Sequence, residues 1–159
     1  MTQLFLTRRR LLSAGAALVS LSAGPALATV GATPLHVLKD PDCGCCGAWI
    51  EIVEAAGFAV TTDLAAAPDL QRYKLANGIP EVMASCHTAK VEGYMLEGHV
   101  PVADIRRLLA ERPDAIGLAV PGMPWGAPGM GPEVEREAFD VFLIHRDGGT
   151  SVFSHYAAA

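Results

Sequence analysis

Four cysteines and five histidines carry most of the chemistry open to this 159-residue chain. Three cysteines stand together in Cys43-Gly44-Cys45-Cys46, and the fourth lies in Ser85-Cys86-His87-Thr88. The cluster contains two motifs. Cys43 and Cys46 form C-x-x-C; Cys43 and Cys45 form C-x-C with a third thiol adjacent. Thiolate is both the nucleophile for disulfide exchange and the form that binds metal, and a helix start at the cluster favours it. Two chemistries follow. One is thiol–disulfide exchange with Cys43 and Cys46 as the catalytic pair. The other is soft-metal binding by Cys43, Cys45, Cys46 and Cys86.

Three features tilt the balance toward metal. An exchange site needs two sulfurs, and a third beside them invites scrambling. Gly44 lets the backbone curl so that neighbouring sulfurs converge. Cys86 pairs a thiol with the imidazole of His87. Soft thiolates select Cu(I), zinc or iron–sulfur clusters. The cysteines are too closely spaced for the usual ferredoxin runs, and tetrahedral zinc sites use well-separated cysteine pairs. Two structural disulfides are the remaining use of four cysteines, although a bridge between the neighbours Cys45 and Cys46 is strained.

The segment Pro121–Pro132 has four prolines and four glycines among its 12 residues, and so reads as a stiff loop. It presents Met123 and Met130, with Trp125 between them. Thioethers suit Cu(I), and an indole face can cap it. Each of these side chains alone would serve equally well as core filling or as a packed lid. His87 and His99 are the histidines read as ligands or ligand supports. His36, His145 and His155 read as structural, and Lys39, Asp40 and Asp42 as residues that shape the turn before the cluster.

The elements that must position these residues follow from apolar periodicity. Leu35–Lys39 reads as a strand, 47–56 as a helix with Trp49, Ile50, Ile52 and Val53 on its apolar stripe, and 58–62 as a strand. Residues 68–76 read as a helix, 82–91 and 94–100 as two strands, and 102–111 as a helix with Val102, Ile105, Leu108 and Leu109 on one face. A hairpin of 139–145 and 151–156 closes around Asp147-Gly148-Gly149. The order β-α-β-α-β-β-α predicts an α/β fold with a thioredoxin-like core. The Pro/Gly/Met-rich loop and the C-terminal hairpin follow it. Such folds carry their redox site between the first strand and first helix. They often place a cis-proline before the third strand, here Pro80.

Residues 1–28 read as an address. Thr7-Arg8-Arg9-Arg10-Leu11-Leu12 precedes an uncharged run that ends Pro25-Ala26-Leu27-Ala28. This is the pattern of a cleaved signal peptide of the twin-arginine type. As a membrane span the run is marginal, being short and diluted with alanine and glycine. Cleavage leaves one domain, 29–159, in the periplasm, where disulfides persist. That domain has 9 basic and 17 acidic residues, a net charge of −8. The charge excludes a nucleic-acid partner, and no membrane contact is expected after cleavage. The 26 alanines and 10 aromatic residues also mean that the 51% hydrophobic content overstates the bulk available to a core.

Several ordered segments carry a family resemblance. Lys39-Asp40-Pro41-Asp42-Cys43-Gly44-Cys45-Cys46 with Trp49 resembles the opening signature of the CopG-like group of bacterial periplasmic metal-binding proteins, a domain of unknown function. Ala84–Ala89 and Gly93–Pro101 resemble its middle, and Gly117–Pro124 with Gly129-Met130 its end. The resemblance covers about residues 35–156. It implies a thioredoxin-like fold, copper handling in copper resistance, and Cys43, Cys45, Cys46 and Cys86 gathered around copper in a thiolate-bridged site. It makes His87, His99, Met123 and Met130 further ligands. The expectation is therefore a protein that binds copper as Cu(I) for sequestration, for delivery involving a periplasmic donor or acceptor, or for redox conversion. A thiol–disulfide oxidoreductase using Cys43 and Cys46 is the alternative.

Overall fold

A computed structural model describes residues 31–159; the signal-peptide reading of residues 1–28 lies outside them. Three helices and one seven-stranded sheet make a mixed α/β fold. The strands are β1 (Pro34–Lys39), β2 (Ala59–Leu64), β3 (His87–Val91), β4 (Tyr94–Glu97), β5 (Ala115–Ala119), β6 (Phe139–His145) and β7 (Thr150–Tyr156). The helices are α1 (Gly44–Ala55), α2 (Ala67–Ala76) and α3 (Val102–Glu111). The sheet order is β2-β1-β3-β4-β5-β6-β7. β1 runs parallel to β2 and antiparallel to β3, and β4 runs parallel to β5. Among the described residues, no helix is long and apolar enough to cross a membrane.

The expected helix and strand content is present; the strand expected over 94–100 ends at Glu97, which leaves His99 beyond it, and four other differences bear on the site or the sheet. First, α1 starts at Gly44 rather than 47. Cys43 takes the N-cap position, where its side chain makes no capping hydrogen bond, and Cys45 and Cys46 fall in the first turn. Second, the stretch read as a strand from 82 is a 3-10 turn at Glu81–Met83, and β3 begins only at His87. Cys86 therefore sits just before the strand. Third, no described peptide bond is cis, so the cis reading of Pro80 is corrected. Pro80 instead stands before the 3-10 turn with an extended backbone, and its carbonyl accepts from Met83 N–H at 2.9 Å.

The fourth difference is a strand that the periodicity did not reveal. β5 pairs with both β4 and β6, and so joins the C-terminal hairpin to the rest of the sheet. Its sequence, Ala-Ile-Gly-Leu-Ala, is short and has a glycine at its centre, which weakens any strand signal. The glycine has a steric reason: a Cβ on Gly117 would collide with the backbone of Met95 on the neighbouring strand.

The core explains the helices. Trp49 and Val53 of α1 and Ile105 and Leu108 of α3 are fully buried with Leu35, Val37, Leu96 and Leu118 of the sheet. At about 25 cal/mol per Å² of apolar area, each such side chain contributes roughly 1.5–3 kcal/mol on burial. α3 ends at Arg112 in a left-handed cap. The hairpin is tied back to α3 by Asp104, whose carboxylate accepts from Ser154 and Tyr156, the latter at 2.7 Å. Phe139 stacks on Tyr156 with centroids 4.8 Å apart.

Candidate metal centre

The antiparallel pairing of β1 with β3 builds the site. Lys39, at the end of β1, lies opposite His87, at the start of β3. The chain leaves β1 through Asp40-Pro41-Asp42 into α1 and enters β3 from Ser85-Cys86, so both cysteine segments meet at one end of the sheet. The approach to α1 is an Asx turn in which Asp42 N–H donates to Asp40 Oδ1 at 2.9 Å. Lys39 Nζ donates to the Asp40 carbonyl. These three residues shape the turn, as expected.

Cys43 and Cys46 are joined in a disulfide, while Cys45 and Cys86 are free thiols. Cys45 Sγ lies 3.5 Å from Cys43 Sγ and 4.0 Å from Cys86 Sγ. All four sulfurs lie within 4.8 Å of one another. Cys86 also forms a second group of that size with His87 and His99. Its sulfur is 3.3 Å from His87 Nδ1 and 3.1 Å from His99 Nε2. One sulfur is thus common to an all-thiol group and a thiol–imidazole group.

The two histidines are buried and differ in their partners. His99 Nδ1 donates to the Pro128 carbonyl at 2.7 Å, so its Nε2 carries the lone pair that faces Cys86. This outer hydrogen bond fixes tautomer and ring orientation in the way metal-binding histidines are commonly fixed. Burial lowers the His99 pKa, against the raising effect of the Pro128 bond, and this favours the neutral ring that a metal requires. His87 lies against the Trp49 indole with centroids 4.5 Å apart, and the indole N–H donates to the Val100 carbonyl at 2.9 Å. His87 Nε2 is a buried nitrogen with no hydrogen-bond partner. Burial, then His99, Lys74 and Lys39, lower the His87 pKa to about 3.

The depressed His87 pKa has a testable consequence. The unfolded chain takes up a proton near pH 6.5 and the folded protein only near pH 3, so stability falls as pH drops through that window. Shifts of this size amount to about 2 kcal/mol by pH 5. Burial also pushes the Glu97 carboxyl upward, which acts in the opposite sense. Comparing wild type with His87→Asn cancels that contribution. Urea denaturation of the metal-free proteins is expected to show wild type losing stability relative to the variant from pH 7 to pH 5. Parallel pH profiles would refute a buried neutral imidazole at His87.

Burial pushes the Cys86 thiol up to about 12, assisted by the neighbouring Cys45. Cys86 is therefore a protonated thiol at neutral pH, and a metal bound there would have to displace its proton. A cleft of about 360 Å³ opens onto these sulfurs; Asp40, Asp42, Cys43, Ser85, Cys86 and Lys74 are among its lining residues.

The Pro/Gly loop meets the site through its backbone. The Gly122 carbonyl accepts from Ser85 Oγ, next to Cys86. Gly129, with a φ of +81°, lets the loop close on α1: a Cβ there would lie 2.7 Å from Trp49 N. Met130 is partly buried against the main core, while Met123 is 56% exposed. Trp125 is 45% exposed, and its indole N–H donates to Glu135 at 3.1 Å. The remaining histidines have surface partners: His36 with Asp63, His145 with Ser151, and His155 with Asp140.

Two residues under the site escaped the sequence reading. Lys74 of α2 and Glu97 of β4 form an ion pair with both side chains almost wholly buried. Lys74 Nζ also donates to the Ser85 carbonyl at 2.6 Å, and Glu97 Oε1 accepts from Ser85 N–H at 2.6 Å. Thr88 donates to the other Glu97 oxygen. The pair therefore grips both polar groups of the Ser85 backbone, one residue from Cys86.

Residues 83–130 match a family model described as "Protein of unknown function, DUF411". No curated protein matches. One solved structure, of Form 1 of the copper resistance protein CopG, is 43% identical, with 80% of this chain and 99% of that chain covered and a TM-score of 0.75. Another, of Form 2 of CopG, is 45% identical over 79% of this chain and 98% of that one, with a TM-score of 0.72. The chain belongs to the CopG family. The part of this CopG-family chain matched by the family model holds Cys86, His87, His99 and the Pro/Gly loop as far as Met130. The Cys43–Cys46 cluster lies outside it.

Proposed function

We propose that this CopG-family protein binds copper as Cu(I) in the periplasm, on a thioredoxin-like core, as part of copper handling and resistance. The observation that carries the reading is the gathering of four sulfurs, one of which, Cys86, also faces two imidazoles. Thiolate and neutral imidazole form a soft donor set that suits Cu(I). The His87 Nδ1 beside Cys86 and the oriented His99 Nε2 fit such a role. Once the Cys43–Cys46 bond is reduced, Cys43, Cys45, Cys46 and Cys86 supply thiolates, and His87 and His99 complete the set. Met123 and Met130 support or cover it from the loop. The names of the CopG structures favour copper over zinc. The order β2-β1-β3-β4, with α1 starting at the cysteines, supports the thioredoxin-like assignment. The twin-arginine pattern supports export, and a periplasmic donor or acceptor would pass the ion through the cleft.

A second reading has its own observation. The Cys43–Cys46 disulfide, with Cys46 fully buried and Cys43 partly exposed, is an arrangement suited to thiol–disulfide exchange. One experiment separates the two. The reduced chain is loaded anaerobically with Cu(I), and stoichiometry and affinity are compared with a variant carrying serine at all four cysteines. Loss of at least about 100-fold in affinity is expected, since even the loss of an outer-shell partner costs about 10–100-fold. Equal binding by the variant would overturn the copper reading. Metal-free catalytic reduction of a disulfide substrate, lost in Cys43→Ser and indifferent to Met123→Ala and Met130→Ala, would favour the exchange reading.

A further inference from the structure

The exchange reading uses two of the four sulfurs and leaves two over. Cys43 and Cys46 are bonded to each other, while Cys45 and Cys86 are free thiols. Cys45 Sγ stands 3.5 Å from Cys43 Sγ, one end of the bond, and 4.0 Å from Cys86 Sγ, the other free thiol. It therefore lies between a disulfide sulfur and a thiol, within reach of both. The cleft beside the site is lined by Cys43 and Cys86, but by neither Cys45 nor Cys46. One sulfur of each pair thus faces the same opening.

We infer that the disulfide has two positions in this protein, and that Cys45 relays it from Cys43–Cys46 to Cys45–Cys86. The inference rests on the exchange reading, to which it adds a second redox pair, and no metal takes part. In the first step the Cys45 thiolate attacks Cys43 Sγ. A Cys43–Cys45 bond forms, the Cys43–Cys46 bond breaks, and Cys46 leaves as a thiolate that takes up the proton Cys45 gave up. The leaving sulfur is in the first turn of α1, where free backbone N–H groups favour negative charge. In the second step Cys86 attacks Cys45 Sγ. A Cys45–Cys86 bond forms, the Cys43–Cys45 bond breaks, and Cys43 leaves and takes up the proton from Cys86. His99 Nε2, 3.1 Å from Cys86 Sγ, is placed to carry that proton. Two thiols and one disulfide stand before and after the two steps, so no outside oxidant or reductant is needed.

The two positions differ in what they join. Cys43 and Cys46 are three residues apart at the start of one helix. The Cys45–Cys86 bond would tie α1 to the segment entering β3, 41 residues away. Closing it brings the two sulfurs from 4.0 Å to about 2.05 Å, and both belong to partly exposed side chains. The third thiol that would scramble a simple exchange site is here the one that carries the bond onward. A disulfide received at Cys43 passes to the Cys45–Cys86 pair and leaves the C-x-x-C pair reduced.

The test uses the metal-free protein, fully reduced and then oxidised anaerobically with one equivalent of oxidised glutathione, so that each chain carries one disulfide. Iodoacetamide blocks the free thiols at intervals, and the unreduced tryptic digest is read by mass spectrometry. Cleavage at Arg72, Lys74 and Lys90 puts Cys86 on a different peptide from the cysteine triplet. The Cys86 peptide is expected to become joined to the triplet peptide through Cys45, with Cys43 and Cys46 labelled, at a rate independent of protein concentration. Cys45→Ser is expected to abolish the joined peptide. Cys43→Ser, which lacks the first position, is expected to close Cys45–Cys86 directly. The inference is overturned if wild type holds only the Cys43–Cys46 bond, if Cys45→Ser joins the two peptides as readily, or if Cys43→Ser leaves Cys86 free or bonds it to Cys46. Migration of the bond without catalytic turnover of an external disulfide would support the relay and overturn the exchange reading alone.

Discussion

Cys86→Ser is expected to weaken Cu(I) binding by at least about 100-fold, and by more than any other single cysteine replacement. The reason is position. Its sulfur is the member common to the four-cysteine group and to the group with His87 and His99. Removing Cys43, Cys45 or Cys46 leaves three sulfurs with Cys86 still facing the imidazoles. Removing Cys86 separates the helix sulfurs from both rings. The hydroxyl of serine fills similar space but is a poor ligand for a soft ion. The measurement is the Cu(I) dissociation constant of each single Cys→Ser variant in the reduced state, by chelator competition. A Cys86→Ser variant no weaker than Cys45→Ser would show that the helix triplet suffices and that the two groups are not linked through Cys86.

Lys74→Met and Glu97→Gln are each expected to destabilise the metal-free protein by about 3–5 kcal/mol, the usual cost of removing one partner of a buried ion pair. Replacing the pair jointly by apolar residues is often tolerated elsewhere. Here the double variant Lys74→Met/Glu97→Leu is expected to remain destabilised, because Glu97 also accepts from Ser85 N–H and Thr88. Those donors would be left buried without a partner, at about 1–3 kcal/mol each. Urea denaturation at pH 7 measures the stability, and the rate of Cys86 alkylation measures whether the segment beside it has loosened. Singles within about 1 kcal/mol of wild type would mean that the pair is not a structural clamp.

The origin of these effects also explains what could be read from the chain. The clustered side chains were legible because soft-metal chemistry restricts the residue types to look for: the cysteine triplet, Cys86 with His87, and His99 stand out by type, and they do lie together. Helix α3 was legible because Ile105 and Leu108 repeat at helical spacing and Pro113 follows. The hairpin was legible because Asp147-Gly148-Gly149 marks its turn. Lys74 and Glu97 were not. Each is a charged residue in an element whose pattern puts charge on the outside, and their partnership spans 23 residues. Local spacing carries no trace of it. The Pro128 carbonyl that orients His99 was equally hidden, because a backbone acceptor has no sequence signature. The start of α1 was misplaced by three residues because cysteine and glycine are poor helix formers, and here they form its first turn. β5 was missed because its centre must be a glycine to let Met95 approach.

The site joins a local part to a distant one. Cys43, Cys45 and Cys46 lie within a single helical turn of the chain, whereas Cys86 is 41 residues beyond Cys45 and His99 another 13 beyond Cys86. When the protein unfolds, the triplet persists as a local chelating peptide, and the other ligands disperse. Copper would therefore bind the unfolded chain as well as the native one, and only the difference in affinity would appear as stabilisation. The melting temperature of a copper-loaded sample then reports the share of affinity that comes from Cys86 and the two imidazoles, rather than the total. A newly made chain would meet the same asymmetry in reverse. Its first thiols can capture an ion before the sheet has formed, and pairing of β1 with β3 would then bring Cys86 and His99 to a metal already in place.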